Sequence, residues 1–171
     1  KNIARTLDAM QRLRTVVDDN ADVLAATRKE CPEVECTTDY DAVLNDPAIK
    51  AISIATPAAT HYELAKRSLL AGKDVFVEKP LAITPEEGAA LVDLAGGAGR
   101  ILMVGHILRY HPAVTKLQEL IKSGALGRLQ YIYSNRLNIG KIRTEENILW
   151  SFAPHDISVM LALLNEEPSA V

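Results

Sequence analysis

Only two cysteines, Cys31 and Cys36, occur in the 171 residues. One Cys-x4-Cys pair makes neither a disulfide framework nor a zinc site, so a reduced, cytoplasmic protein is expected. No run approaches the roughly 20 apolar residues that a spanning helix needs, and Lys1-Asn2-Ile3-Ala4-Arg5 lacks the layout of a signal peptide. Clustered basic charge is missing too: the 19 Lys and Arg are spread along a chain of net charge -3, which leaves no electrostatic footprint for nucleic acid or an anionic membrane. None of the four histidines stands at a zinc-ligand spacing from a carboxylate or cysteine, so no metal is expected. Glycine does not occur before Gly72, and there is no internal repeat or low-complexity tract. The expected partner is a small molecule.

What is present has the balance of an ordinary folded protein, with 48% hydrophobic and 24% charged residues. A chain of this length can bury one good core and carry part of a second domain. Ile3, Ala4, Leu7 and Met10 predict a helix over residues 1–11 with no N-cap before it. Short apolar runs then alternate with amphipathic segments. Strands are predicted at Leu13–Val17, Val34–Thr37, Ala51–Ala55, Asp74–Val77 and Ile101–Val104, with helices at Ala21–Glu30, Asp41–Leu44 and Ala58–Leu70. A further helix is predicted from the Thr84-Pro85-Glu86-Glu87 cap to about Leu94, and Gly72 suits the left-handed position after a helix. Beyond Pro112 the rhythm changes to a helix at Ala113–Lys122 closed by Gly124, a strand at Leu129–Ser134 and a helix from about Asp156 to Leu164.

Such alternation predicts an α/β fold, a doubly wound parallel sheet covered on both faces with right-handed crossovers. It is expected over residues 1–108, with a second domain beginning at residues 109–171 and the change of rhythm falling near 106–112. A dinucleotide-binding sheet has its first strand in the centre, followed by a Gly-rich phosphate turn, and neither is found here. Without that strand two half-sheets would keep unpaired inner edges, so the parent chain is expected to carry a strand and a Gly-rich turn immediately before Lys1, and to continue beyond Val171.

Three places carry candidate chemistry. Asp18 stands where the second strand of a dinucleotide fold ends, where an acid accepts from ribose hydroxyls and repels the extra phosphate of NADP; Asp18, Asp19 and Asn20 are equally good turn and N-cap residues. Lys79, in Val77-Glu78-Lys79-Pro80, follows a buried strand at the carboxyl edge of the sheet and can donate to a substrate oxygen, although an exposed Glu78–Lys79 ion pair is the plainer reading. His155, read as starting a helix after Ala153-Pro154, is placed to act as a general base, and a helix N-terminus would favour its neutral form. A capping or packing histidine would look the same, and His61, His106 and His111 also read as ordinary polar residues. Arg136, Asn138, Lys141 and Arg143 after the Leu129 strand suit a diphosphate or carboxylate, or form a solvated loop.

Taken together, Ala55-Thr56-Pro57 with His61, Gly72-Lys73-Asp74-Val75-Phe76-Val77-Glu78-Lys79-Pro80, Gly105-His106 through Arg109-Tyr110-His111-Pro112, and Ala153-Pro154-His155-Asp156 resemble the glucose-fructose oxidoreductase and inositol dehydrogenase family. The resemblance implies a Rossmann domain binding NAD, or NADP, followed by an α+β substrate domain with a mostly antiparallel sheet that often makes a homo-oligomer. It implies Lys79 and His155 as the catalytic pair. It further implies Asp18, Thr56, Pro57, His61, Glu78, Lys79, Pro80 and Arg109 as cofactor contacts, and Lys79, Tyr110, Arg136, Asn138 and His155 as substrate contacts. Many members carry an Asp where this chain has Ser151, so no role of that Asp carries over. The stretches Gly105–Val114 and Glu146–Asp156 are most similar to members that oxidise the 3-hydroxyl of nucleotide-linked N-acetyl sugars. A free sugar or polyol dehydrogenase, and a non-catalytic NAD(P)-binding regulator, are the alternatives.

Overall fold

A computed structural model describes residues 2–135 and 148–170. Arg136, Asn138, Lys141, Arg143 and the side chain of Ser151 lie outside the described residues. The chain divides into two compact units: Lys1–Val77 with Leu81–Met103, and Glu78–Pro80 with Val104–Val171.

The first unit alternates helix and strand as the apolar pattern requires. α1 (Asn2–Ala9) leads to β1 (Thr15–Val17), α2 (Ala21–Glu30), β2 (Glu35–Thr37), α3 (Tyr40–Asn45) and β3 (Ala51–Ile54). A 3-10 turn (Ala58–Thr60) opens into α4 (His61–Leu70), followed by β4 (Asp74–Val77), α5 (Pro85–Ala98) and β5 (Leu102–Val104), whose last residue already belongs to the second unit. α5 is fixed at both ends by local chemistry. Thr84 accepts from the Glu87 amide while Glu87 reaches back to the Thr84 amide, and Gly99 closes the helix at φ +61°. Gly72 takes the left-handed conformation after α4, at φ +73°.

The strands are parallel but form two separate sheets, β1–β2 and β3–β4–β5. Parallel strands joined by helices are the arrangement of a doubly wound α/β fold. On one face of the larger sheet, Ile54, Val75 and Val77 pack with Ala65 and Leu69 of α4 and Leu91 and Ala95 of α5, forming the core. On the opposite face Ala51 and Ser53 are exposed and Met103 is 40% exposed. Period-two alternation makes the contrast sharp, because neighbours along a strand point to opposite faces.

Lys73 is the one buried lysine among the described residues, and it is structural. Its Nζ donates to the carbonyls of Asp46 (2.6 Å) and Ile49 (2.8 Å), closing the turn between α3 and β3 from inside. Arg14 meets the Asp46 carboxylate from outside at 2.9 Å. The Ala48 amide, then Arg14, hold that carboxyl below its ordinary value.

In the second unit, a 3-10 turn (Ile107–Tyr110) packs against α6 (Pro112–Lys122) and α7 (Ile148–Leu164). His111 caps α6, its Nδ1 accepting from the Ala113 amide at 3.2 Å, and Gln118 Nε2 ties α6 to the Ala162 carbonyl of α7 at 3.1 Å. Two expectations fail here. Leu129–Ser134 is not a strand: it has strand-like composition, but no neighbouring strand pairs with it among the described residues, and a ladder needs a partner. The last helix begins at Ile148 rather than Asp156 and runs through Pro154. Proline costs an interior helix one backbone hydrogen bond but does not always end it.

Candidate active site

β1 delivers Asp18 to the carboxyl end of its sheet. There Asp18 does what a turn residue does: Oδ1 accepts from the Asn20 amide at 2.8 Å, and Asn20 in turn caps α2 by accepting from the Asp22 and Val23 amides. The turn and ribose-binding readings are compatible, because this bond uses one carboxylate oxygen and orients the other. Asp18, Asp19 and Asp22 place three carboxylates within five residues.

β3 and β4 run level, Ile54 opposite Val77, so both deliver their next residues to one end of the sheet. After β3 come Thr56 and Pro57, both exposed. The turn is held from within: the Thr60 amide and hydroxyl donate to the Pro57 carbonyl (2.9 and 2.8 Å), and the Thr56 and Thr60 hydroxyls meet at 2.7 Å. His61 is only 1% exposed, and its Nε2 donates to the Thr56 carbonyl at 2.9 Å. In this position the His61 ring braces the turn from below.

After β4, Glu78 and Lys79 are half-buried, Pro80 is buried, and the Lys79–Pro80 peptide bond is cis. These three residues leave the first unit for the second, which also holds His106, Arg109, Tyr110 and His155. Arg109 is exposed and Tyr110 is 70% exposed. His155 is partly buried within α7, several residues from its start, so the helix-terminus argument for its neutral form does not apply. Its carbonyl accepts from Ser158 Oγ at 2.9 Å. The next residue, Asp156, accepts from Ser134 Oγ at 3.1 Å, tying the segment after α6 to the helix beside His155.

Against known proteins, residues 2–106 match the model of the "Oxidoreductase family, NAD-binding Rossmann fold". The chain belongs to this family. A member from Acidithiobacillus ferrooxidans, "UDP-N-acetylglucosamine 3-dehydrogenase", is 30% identical over 96% of this chain and 51% of its own length. An "Inositol 2-dehydrogenase" of Salmonella paratyphi B is 29% identical over 86% of the chain and 45% of its own length. The solved structure of a "probable dehydrogenase from Thermotoga maritima" shares the fold, with a TM-score of 0.82 at 24% identity over 96% of this chain and 52% of that one. The chain spans about half the length of these relatives.

The residues of the oxidoreductase family's Rossmann region fit a nicotinamide dinucleotide. An oriented carboxylate ends β1 and an exposed, internally braced turn follows β3, both at carboxyl ends of parallel strands, the edge at which open α/β sheets bind ligands. Among the described residues no group of three or more His, Cys, Asp or Glu side chains is gathered as a metal site. No helix of the described residues is long and apolar enough to cross a membrane.

Sequence reasoning missed two groups. Thr60 was read only as part of a helix, although a threonine four residues after another at a helix entrance is a recognisable hydroxyl pair. His106 reads in sequence as an ordinary polar residue; its Nδ1 is buried without a hydrogen-bond partner among the described residues, and burial, then the Arg109 guanidinium, push its pKa down. Nothing in composition marks such an atom, since it depends on what folds around it.

Proposed function

We propose that this protein is a nicotinamide-dependent dehydrogenase acting on a sugar hydroxyl, with a UDP-N-acetyl sugar oxidised at its 3-hydroxyl as substrate. The observation that carries the reading is the membership of Glu78-Lys79-Pro80 in the same compact unit as His155, although β4 and α5 on either side belong to the other unit. A nucleotide sugar is favoured by the Acidithiobacillus relative, whose match extends over nearly the whole chain.

Removing a hydride from carbon is easy only as the hydroxyl proton leaves. A ring nitrogen of His155 takes that proton, and the Lys79 ammonium donates a hydrogen bond to the same oxygen as it gains carbonyl character. The nicotinamide, when bound, supplies the hydride acceptor. Asp18, Thr56, Pro57 and Arg109 are the assigned cofactor contacts. NAD is the expected form, because the 2′-phosphate of NADP would meet the carboxylates of Asp18, Asp19 and Asp22. Tyr110, Arg136 and Asn138 contact the sugar or its diphosphate. Residues 1–108 form the cofactor domain; residues 109–171 begin a substrate domain whose sheet joins copies of the protein.

The test is an absorbance assay at 340 nm on the native-length protein, with UDP-N-acetylglucosamine, UDP-N-acetylglucosaminuronic acid and free inositol offered in parallel with NAD or NADP. Reduction of NAD with a UDP-sugar is the expected result. Reduction with inositol alone would move the substrate to a free polyol, the reading that the Salmonella relative favours. Cofactor binding without reduction by any of the three would count against the nucleotide-sugar assignment.

A further inference from the structure

The hydroxyl protons of the Thr56–Thr60 turn can be assigned from its heavy atoms. Thr60 Oγ1 lies 2.8 Å from the Pro57 carbonyl, and a carbonyl only accepts, so the Thr60 proton is committed there. The two threonine hydroxyls stand 2.7 Å apart, and that contact still needs one proton. Thr60 has already given its own, so Thr56 supplies it. Below the turn, the buried His61 holds the Thr56 carbonyl and with it the backbone from which the hydroxyl projects. With its proton turned inward, the exposed Thr56 hydroxyl offers a ligand lone pairs alone.

We propose that Thr56 Oγ1 is a specificity-determining acceptor, and that Thr60 is the positioning residue that keeps it one. The group it takes from a dinucleotide is a hydrogen-bond donor, either an amide N–H or a ribose hydroxyl. A phosphate is excluded, because its oxygens also only accept and two acceptors facing each other repel. The inference rests on the proposal that this turn contacts the cofactor.

The test measures NADH affinity by fluorescence titration of the native-length protein, beside the reduced 3-acetylpyridine analogue, in which a ketone replaces the carboxamide. A net hydrogen bond of ordinary strength corresponds to about a 3- to 10-fold change in affinity. Thr56→Val is expected to weaken NADH binding by about that factor. Thr60→Ser, which keeps the hydroxyl, should stay within about 2-fold of the parent, whereas Thr60→Val, which frees the Thr56 proton, should not. If the donor is the amide, the analogue binds the parent more weakly than NADH does and Thr56→Val removes the difference. If it is a ribose hydroxyl, Thr56→Val weakens both ligands alike. The proposal is overturned if Thr56→Val binds both ligands as the parent does, or if Thr60→Ser and Thr60→Val behave identically. A parent protein that binds neither NADH nor NADPH would bring down the cofactor reading itself, a failure visible before any variant is made.

Discussion

The buried aliphatic core among the described residues, from Leu24 to Ala95, belongs entirely to the first compact unit. The second unit has helices but leaves Ile107, Leu117, Tyr131, Tyr133, Ile157 and Leu164 between 41% and 82% exposed. The proposed catalytic pair lies in this second unit, while the proposed cofactor contacts Asp18, Thr56 and Pro57 lie in the first. Binding is thus assigned to a part with a dense core of its own, and proton handling to a part whose described residues bury little. Under the proposed assignment, dense packing and proton chemistry fall on different parts of the chain.

The sharpest test of that division is Lys79→Met. It should lower turnover by about two to three orders of magnitude, in the range of losing a positioned donor to a developing charge, while NADH affinity changes by less than about 3-fold. Turnover within a few-fold of the parent, or a matching loss of cofactor affinity, would break the separation of binding from chemistry. A smaller effect is expected from the cores. Leu91 is fully buried in α5, and Leu91→Ala should cost about 2–5 kcal/mol in a denaturant titration; Leu117 of α6 is 41% exposed, and Leu117→Ala should cost under about 1 kcal/mol. Equal costs would mean that the second unit is as tightly packed as the first.

The smallest effect concerns pH. Burial, then Arg109, keeps the folded-state pKa of His106 below its ordinary 6.5. The unfolded chain therefore takes up this proton first, so stability is full above about 6.5 and declines as the pH falls toward the folded value. Replacing His106 with Phe removes both the titration and the unpartnered nitrogen. The melting temperature of His106→Phe should therefore depend less on pH between 7 and 5 than that of the parent; an unchanged slope would place the dependence elsewhere.

Where a feature depended on neighbours in sequence, reading the chain recovered it. The Thr84–Glu87 capping box and the left-handed Gly72 are complete within a few residues, and both are present. The strand–helix alternation of the first unit held with small shifts at the ends, because the period of apolar residues marks each element by itself. Features that depended on distant partners were not legible. Leu129–Ser134 has the composition of a strand, but pairing decides whether it becomes one. Pro154 read as a helix boundary, yet α7 continues through it, which moved His155 from the start of a helix to its interior. The burial of His61 and its bond to the Thr56 carbonyl are likewise properties of the folded turn, which no neighbour in sequence announces. Lys73 stood in a recognisable motif without any sign that its ammonium would close the α3–β3 turn from inside.

The excursion of Glu78-Lys79-Pro80 also bears on how such a protein could be rearranged by recombination. The chain crosses between the units after Val77, returns after Pro80 and crosses again after Met103. A single crossover near residue 104 would carry His155 into a new parent but leave the lysine behind, on a loop inherited from the other. With Lys79 and His155 acting together as proposed, chimeras that exchange the second unit must draw both residues from compatible parents, and the tripeptide and the later segment are expected to be inherited together despite being far apart in the gene.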